Sequence, residues 1–263
     1  MLKKLFLICT LYVAVSCATV PVTGRRQLDL VPDSQMLSMS FTEYDTFLKE
    51  NKLSGDAANT AMVKRVGQRI QRAVESYMAQ NKLSSELSGF QWEFNLVDSK
   101  EPNAWCMPGG KVVVYSGILP LTQNETGLAV VMGHEIAHAI AKHGNERMSQ
   151  GLVQQFGGVA LQVALANKPA ETQNLFLSSY GVGSQLGLLK YGRTQESEAD
   201  HLGLIFMALA GYDPQQSIPF WERMAAQGGG QAPPEFLSTH PSDQTRINDL
   251  RRLMPEALKY YRP

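Results

Sequence analysis

Three cysteines in 263 residues are too few for a disulfide framework. Cys9 and Cys17 belong to the N-terminal apolar run and its end, so Cys106 stands alone in the body of the chain. A lone cysteine of that kind is expected to be a small buried apolar residue rather than a reactive thiol. Charge of one sign is also lacking, because 24 Lys and Arg offset 24 Asp and Glu. Nothing therefore points to nucleic acid or to an electrostatically recruited partner. Internal repeats, charge runs and low-complexity tracts are absent as well. No apolar stretch reaches the roughly 20 residues that a membrane helix needs. With 44% apolar and 18% charged residues the chain reads as an ordinary globular protein with one sizeable core. Its function has to be sought in local sites.

The N-terminus departs from this pattern. Lys3 and Lys4 precede an apolar run from Leu5 to Val15, followed by small Ser16 and Cys17. A basic start, a short apolar stretch and a small residue at the cut describe a secretory signal over residues 1–16. Ala14-Val15-Ser16-Cys17 resembles a bacterial lipobox, with Ala14 in place of the usual leucine. That resemblance implies lipidation at Cys17, and Ala18 after it implies sorting to the outer membrane. The expectation is a periplasmic protein anchored by lipid in the inner leaflet of the outer membrane, without spanning it. Residues 17–32 then serve as a lipidated tether, and residues 33–263 form a single domain.

Within that domain, Leu37, Phe41, Tyr44 and Leu48 recur at helical spacing, as do Val63, Val66, Ile70, Val74 and Tyr77. The period changes to two at Trp92, Phe94 and Leu96, which predicts a half-buried strand. A second strand is expected over Lys111 to Ser116, after a loop carrying Pro108-Gly109-Gly110, and the short separation favours antiparallel pairing. Thr122 and Glu125 have the spacing of a capping box that opens a helix running to about Met148. Residues 151–166 are apolar but interrupted by Gln154, Gln155 and Gln162, which suits a surface-packed helix or cover. A long, largely helical stretch is expected from Glu171 to Ala210 despite Gly181, Gly183 and Gly187, with Gly211 as its stop. Asp213-Pro214 restarts a helix that Pro219 should distort, residues 228–234 form a loop, and a last helix begins near Pro241.

The chemistry is concentrated in His134-Glu135-Ile136-Ala137-His138. Two histidines four apart project from one face of a helix, about 5–6 Å apart at Cβ, which lets both rings reach one zinc ion. Glu135, one position on from the first histidine, is rotated too far to join them and is placed to act as general base on the attacking water. A catalytic zinc takes three protein ligands. Ala141 and Gly144 stand where the metzincin pattern needs Gly and His, so the third ligand lies elsewhere. Glu196-Ser197-Glu198-Ala199-Asp200 offers a carboxylate at Glu196 and, one turn on, Asp200 to accept a ring N–H from a ligand histidine, His134 best of all. Glu198 points elsewhere on that helix and is expected in solvent.

The ordered set of HEIAH, ESEAD and Ser238-Thr239-His240-Pro241 resembles the metallopeptidase family of HtpX, the CAAX prenyl proteases and the mitochondrial Oma-type proteases, peptidase family M48. Asn103-Ala104-Trp105-Cys106-Met107-Pro108-Gly109-Gly110 fits a further segment of that family. The resemblance implies an α+β, mostly helical zincin of the gluzincin kind, with a small antiparallel sheet beside the active-site helix. It makes Glu196 the third zinc ligand and brings His240 near the metal, where it either fills the open position at rest or stabilises the oxyanion. Arg246 is a weaker candidate for the same pocket. The lack of membrane-spanning helices and of a C-terminal helical-repeat domain places the chain with the small, Oma-like lipoprotein members.

The expected activity is a zinc-dependent endopeptidase, with one Zn²⁺ per chain, acting on unfolded, misfolded or misassembled cell-envelope proteins. Lys111, Val112 and Val113, following Pro108, Gly109 and Gly110, are the candidate substrate strand, whose edge would pair with an extended peptide. One alternative is a latent peptidase serving as an envelope protein-binding or assembly factor, with His240 or residues 151–190 over the metal. Another is a structural lipoprotein carrying a relic site.

Overall fold

A computed structural model of the chain describes residues 17–20, 22–157, 161–182, 192–227, 240 and 244–263. The expected signal, the loop at 228–234 and Ser238, Thr239, Pro241, Gly183 and Gly187 lie outside the described residues. The architecture is α+β and mostly helical, as expected. Among the described residues no helix is long and apolar enough to cross a membrane.

The stretch expected to be a plain tether contains a two-stranded antiparallel hairpin, β1 (Cys17–Thr19) and β2 (Arg26–Leu28). Helices α1 (Asp33–Glu50) and α2 (Ala57–Gln80) follow. Asp56 caps α2 by accepting from the Asn59 amide, and the helix buries the Val63, Val66, Ile70, Val74 and Tyr77 face that its periodicity assigns. On α1 the buried face is turned: Met36, Ser40, Glu43 and Tyr44 are covered, while Leu37, Phe41 and Leu48 are only half-buried.

The sheet differs from expectation in its pairing. Strands β3 (Glu93–Val97) and β5 (Lys111–Tyr115) run parallel, and β4 (Ala104–Met107) joins β5 antiparallel, giving the order β3-β5-β4. Parallel neighbours need a crossover, and β4 is built from that crossover. It turns into β5 at Pro108-Gly109-Gly110, where both glycines hold φ near +80° and their missing side chains leave room for Phe41 and Trp92. The substrate strand read from the sequence is therefore the central strand. Its backbone groups face partners on both sides, so it has no free edge to offer a peptide. Val112 and Val113 are fully buried, and the Lys111 amine is used up within the fold, 2.5 Å from Glu93 Oε1.

A four-residue helix α3 (Leu119–Thr122) precedes the central helix α4 (Glu125–Ile140). The expected capping box at Thr122 gives way to Asn124, whose side chain accepts from the Gly127 amide at 2.9 Å while the Thr122 hydroxyl donates back to Leu119. From Gly127 to Ile140 every residue of α4 is buried, which its all-round apolar sequence permits. The helix does not continue to Met148. Lys142 adopts a left-handed conformation, φ +57°, and α5 (His143–Phe156) starts anew. The Lys142 amine is held by Asp33 at 2.8 Å and Glu86 at 3.0 Å, which helps to fix the break.

Next come α6 (Leu161–Asn167), α7 (Pro169–Ser179), α8 (Arg193–Leu209), α9 (Ser217–Gln227) and α10 (Gln244–Ala257). The 151–166 segment spans the end of α5 and α6, with Leu152, Leu161 and Ala164 in a smaller second core. Gly211 stops α8 as expected, at φ +80°, with its amide on Ala208 O and that of Tyr212 on Met207 O. Pro219 does not distort α9, because a 3-10 turn at Pro214–Gln216 delays the helix until Ser217. Pro219 then falls in the first turn, where no amide is required.

Helices α4 and α8 pack against each other more extensively than any other pair. They meet at two glycines: a Cβ on Gly133 would lie 3.1 Å from Gly203 O, and one on Gly203 would lie 3.1 Å from His134 N and Cα. Valine in a helix interior normally beats glycine on backbone entropy. Here its branched side chain meets backbone that cannot rotate away. Gly203→Val is expected to lower stability by about 2–3 kcal/mol, measured by chemical denaturation of the metal-free chain. A variant as stable as the wild type would show that the close approach is not needed.

Candidate metal centre

His134 and His138 lie on one face of α4, and Glu196 projects from α8 two turns before Gly203. His134 Nε2 and His138 Nε2 are 3.0 Å apart. Glu196 lies 3.5 Å from the first through Oε2 and 3.3 Å from the second through Oε1. His240 closes the group, with Nδ1 3.2 Å from His134 Nε2 and 2.9 Å from Glu196 Oε1. All four side chains are buried and offer donor atoms within 4.8 Å of one another.

These separations fit a metal ion. Donors about 2.0–2.1 Å from a tetrahedral ion stand roughly 3.4 Å from each other, and the histidine and glutamate atoms bracket that value. Two imidazole nitrogens with one carboxylate oxygen are a donor set suited to a borderline cation. Burial opposes the charge on Glu196, but His240 and Arg246 outweigh it and hold its carboxyl well below the usual range. Burial likewise keeps His138 neutral by pushing its pKa well down, which leaves a lone pair for a metal.

The remaining sequence candidates divide. Asp200 Oδ1 lies 3.0 Å from His134 Nδ1, so a ring N–H can donate there while Nε2 faces the cluster. Arg246 enters fully: it is buried, reaches Glu196 Oε2 at 2.9 Å, and grips Asp200 through Nε and one terminal nitrogen at 2.8 and 2.6 Å. Its guanidinium carbon lies 3.3 Å from the ring centre of Trp221, a residue the sequence reading did not single out. Glu135 has a buried carboxyl whose Oε1 finds no hydrogen-bond partner among the described residues and lies 3.5 Å from His240 Nε2. Burial raises its pKa, with His240 opposing. Cys106 is buried and burial pushes its thiol well up, the inert state expected of it.

Pro108, Gly109, Gly110, Lys111, Val112 and Val113 are not part of this cluster. They build the β4–β5 turn and the centre of the sheet, as described above. Glu198 is not in solvent either. It is buried, 2.9 Å from His143 Nε2 and 2.8 Å from Arg25 Nε, and it also accepts from the Thr23 hydroxyl. Neither His143 nor Arg25 carried a signal in the sequence, since both contacts depend on the helix break at Lys142 and on the N-terminal hairpin.

Residues 64–254 match the profile of Peptidase family M48. The chain is 32% identical over 242 residues to the mitochondrial metalloendopeptidase OMA1 of Schizosaccharomyces pombe, covering 90% of this chain and 66% of that protein. It is 36% identical over 187 residues to OMA1 of Saccharomyces cerevisiae, covering 68% and 51%. It is 30% identical over 164 residues to the beta-barrel assembly-enhancing protease of Escherichia coli, covering 61% and 34%. The chain thus spans between about a third and two thirds of the length of these relatives.

The partners of Glu198 make one pH-dependent expectation. Burial opposes its charge, but His143, Thr23 and Arg25 prevail and bring its pKa down from 4.5 to about 2. The folded chain therefore binds this proton more weakly than the unfolded one. Its stabilising effect is complete above pH 4.5 and is lost as pH falls towards 2. Denaturation midpoints between those values should fall less steeply with acid in Glu198→Gln than in wild type, and equal slopes would contradict the assignment.

Proposed function

The chain belongs to peptidase family M48, and from that premise we propose that it is a zinc-dependent endopeptidase. The observation that carries this reading is the convergence of His134, His138 and Glu196 around a common point, beside the buried carboxyl of Glu135, whose Oε1 accepts no hydrogen bond among the described residues. Zinc held by those three residues would polarise the scissile carbonyl and lower the pKa of a water towards about 7. Glu135 takes the proton from the attacking water and delivers it to the departing amine. Its raised pKa suits both halves of that task, since a base that is too acidic returns no proton. Asp200 holds the His134 ring in the required tautomer, and Arg246 keeps Asp200 and Glu196 charged and fixed. With β5 paired on both sides, the edges of the sheet are β3 and β4, and β4, which packs directly against α4, is the candidate for pairing with an extended substrate.

The substrates we propose are unfolded or misassembled proteins of the cell envelope, reached by a chain lipidated at Cys17 and held at the periplasmic face of the outer membrane. Support comes from the signal-like N-terminus and from similarity to a protein named for enhancing β-barrel assembly. The position of His240 favours a second reading, a site latent at rest. Its Nδ1 lies at ligand-like distance from both His134 and Glu196, so the ring can take the place that a substrate or water needs.

Zinc content and casein cleavage test both readings. Glu135→Gln should keep stoichiometric zinc and lose cleavage by about a hundredfold or more; cleavage at the wild-type rate would sink the mechanism. His240→Ala should raise casein turnover if the ring blocks the site. A fall would instead assign His240 to the reacting centre and exclude latency by this route.

A further inference from the structure

The two histidines that α4 gives to the cluster are oriented by different means. His134 donates its outer N–H directly to Asp200, a carboxylate fixed by Arg246. At the corresponding place on His138 the structure puts a second imidazole. His138 Nδ1 lies 2.8 Å from Nδ1 of His143, and Nε2 of His143 lies 2.9 Å from Glu198. With His138 Nε2 turned towards the cluster as a lone pair, its proton must sit on Nδ1 and be donated to His143. His143 then accepts at Nδ1 and donates from Nε2 to Glu198. Every donor in this sequence meets an acceptor, and neither ring needs a second proton.

Glu198 is in turn held from outside the helical body. Arg25, just ahead of β2, reaches Glu198 through Nε at 2.8 Å and Glu146 through both terminal nitrogens at 2.9 and 2.8 Å. Thr23 donates to the second oxygen of Glu198. The geometry also explains the left-handed residue at 142. On a continuous helix His143 would stand five residues past His138, about 140° around the axis and out of reach. The break at Lys142 swings its ring back.

We infer that His143 and Glu198 are positioning residues for His138, and that the N-terminal hairpin completes the relay through Arg25. This inference rests on the metal-site reading proposed above. It makes the segment immediately after the proposed lipid anchor a part of the metal site. Outer partners of a ligand histidine typically change metal affinity by about 10–100-fold, which sets the expected scale.

The test uses the full chain and measures zinc affinity by chelator competition and the d–d absorption of the Co²⁺-loaded protein. His143→Leu removes both hydrogen bonds, whereas the amide of His143→Gln can accept from His138 and donate to Glu198. Zinc affinity should fall about 10–100-fold in the leucine variant, with shifted Co²⁺ bands, and return to near wild type in the glutamine variant. A purely structural role would affect both variants alike, and either equal loss or equal retention overturns the inference. Arg25→Ala, at the half-buried end of the relay, keeps the question open to measurement should His143→Leu not fold. A several-fold loss of zinc affinity supports the hairpin's part, and wild-type affinity removes it. If the wild-type chain itself retains no zinc, it is the metal-site reading that fails.

Discussion

Everything at the centre of this molecule depends on two helices lying closer than side chains normally allow. Gly133 and Gly203 face each other across α4 and α8, where a Cβ on either would stand only 3.1 Å from the backbone opposite. His134 follows the first glycine directly, and Glu196 and Asp200 stand two turns and one turn before the second. The contact therefore fixes the depth at which nitrogen and oxygen donors from separate helices meet. A helix pair held apart by ordinary side chains would leave the same residues too distant to share one ion.

Bringing those groups together concentrates charge in a buried place. Glu135, Glu196 and Asp200 are all covered, and burying carboxylates without partners costs several kcal/mol each. Arg246 answers for two of them and itself lies over the Trp221 ring. Glu135 is the exception: among the described residues its Oε1 accepts no hydrogen bond, and His240 Nε2 stands 3.5 Å from it. A poorly solvated carboxyl with a raised pKa is a poor stabiliser and a good proton carrier, which suits the chemistry proposed for Glu135.

A second layer of ionic contacts surrounds the first. Arg25 does for Glu198 what Arg246 does for Asp200, and each carboxylate supports one histidine of the cluster, directly or through His143. The first of these arginines comes from a hairpin at the extreme N-terminus of the described chain. Ordering that hairpin and orienting His138 are thus parts of one network.

The sequence by itself determined His134, Glu135 and His138 and the helix that carries them, and offered Glu196 and Asp200 on another; His240 entered only through the family resemblance. Spacing of four and of one within HEIAH, and of four within ESEAD, is a property of a single helix and needs no tertiary knowledge. The stripe on α2 and the glycine stop of α8 were legible for the same reason, being set by local periodicity and backbone freedom. What the tertiary structure decided were the features that depend on residues far apart or on a change of direction. The sheet is mixed because β4 formed within a connection, and this placed the expected substrate strand at the centre, where both of its edges are used. Glu198 is buried rather than solvated because Arg25 and His143 come to it from two other elements. His143 reaches His138 only because Lys142 leaves the helical conformation, a break that no helical pattern announces. Local spacing encodes which groups can act; only the packing of distant segments decides which of them meet.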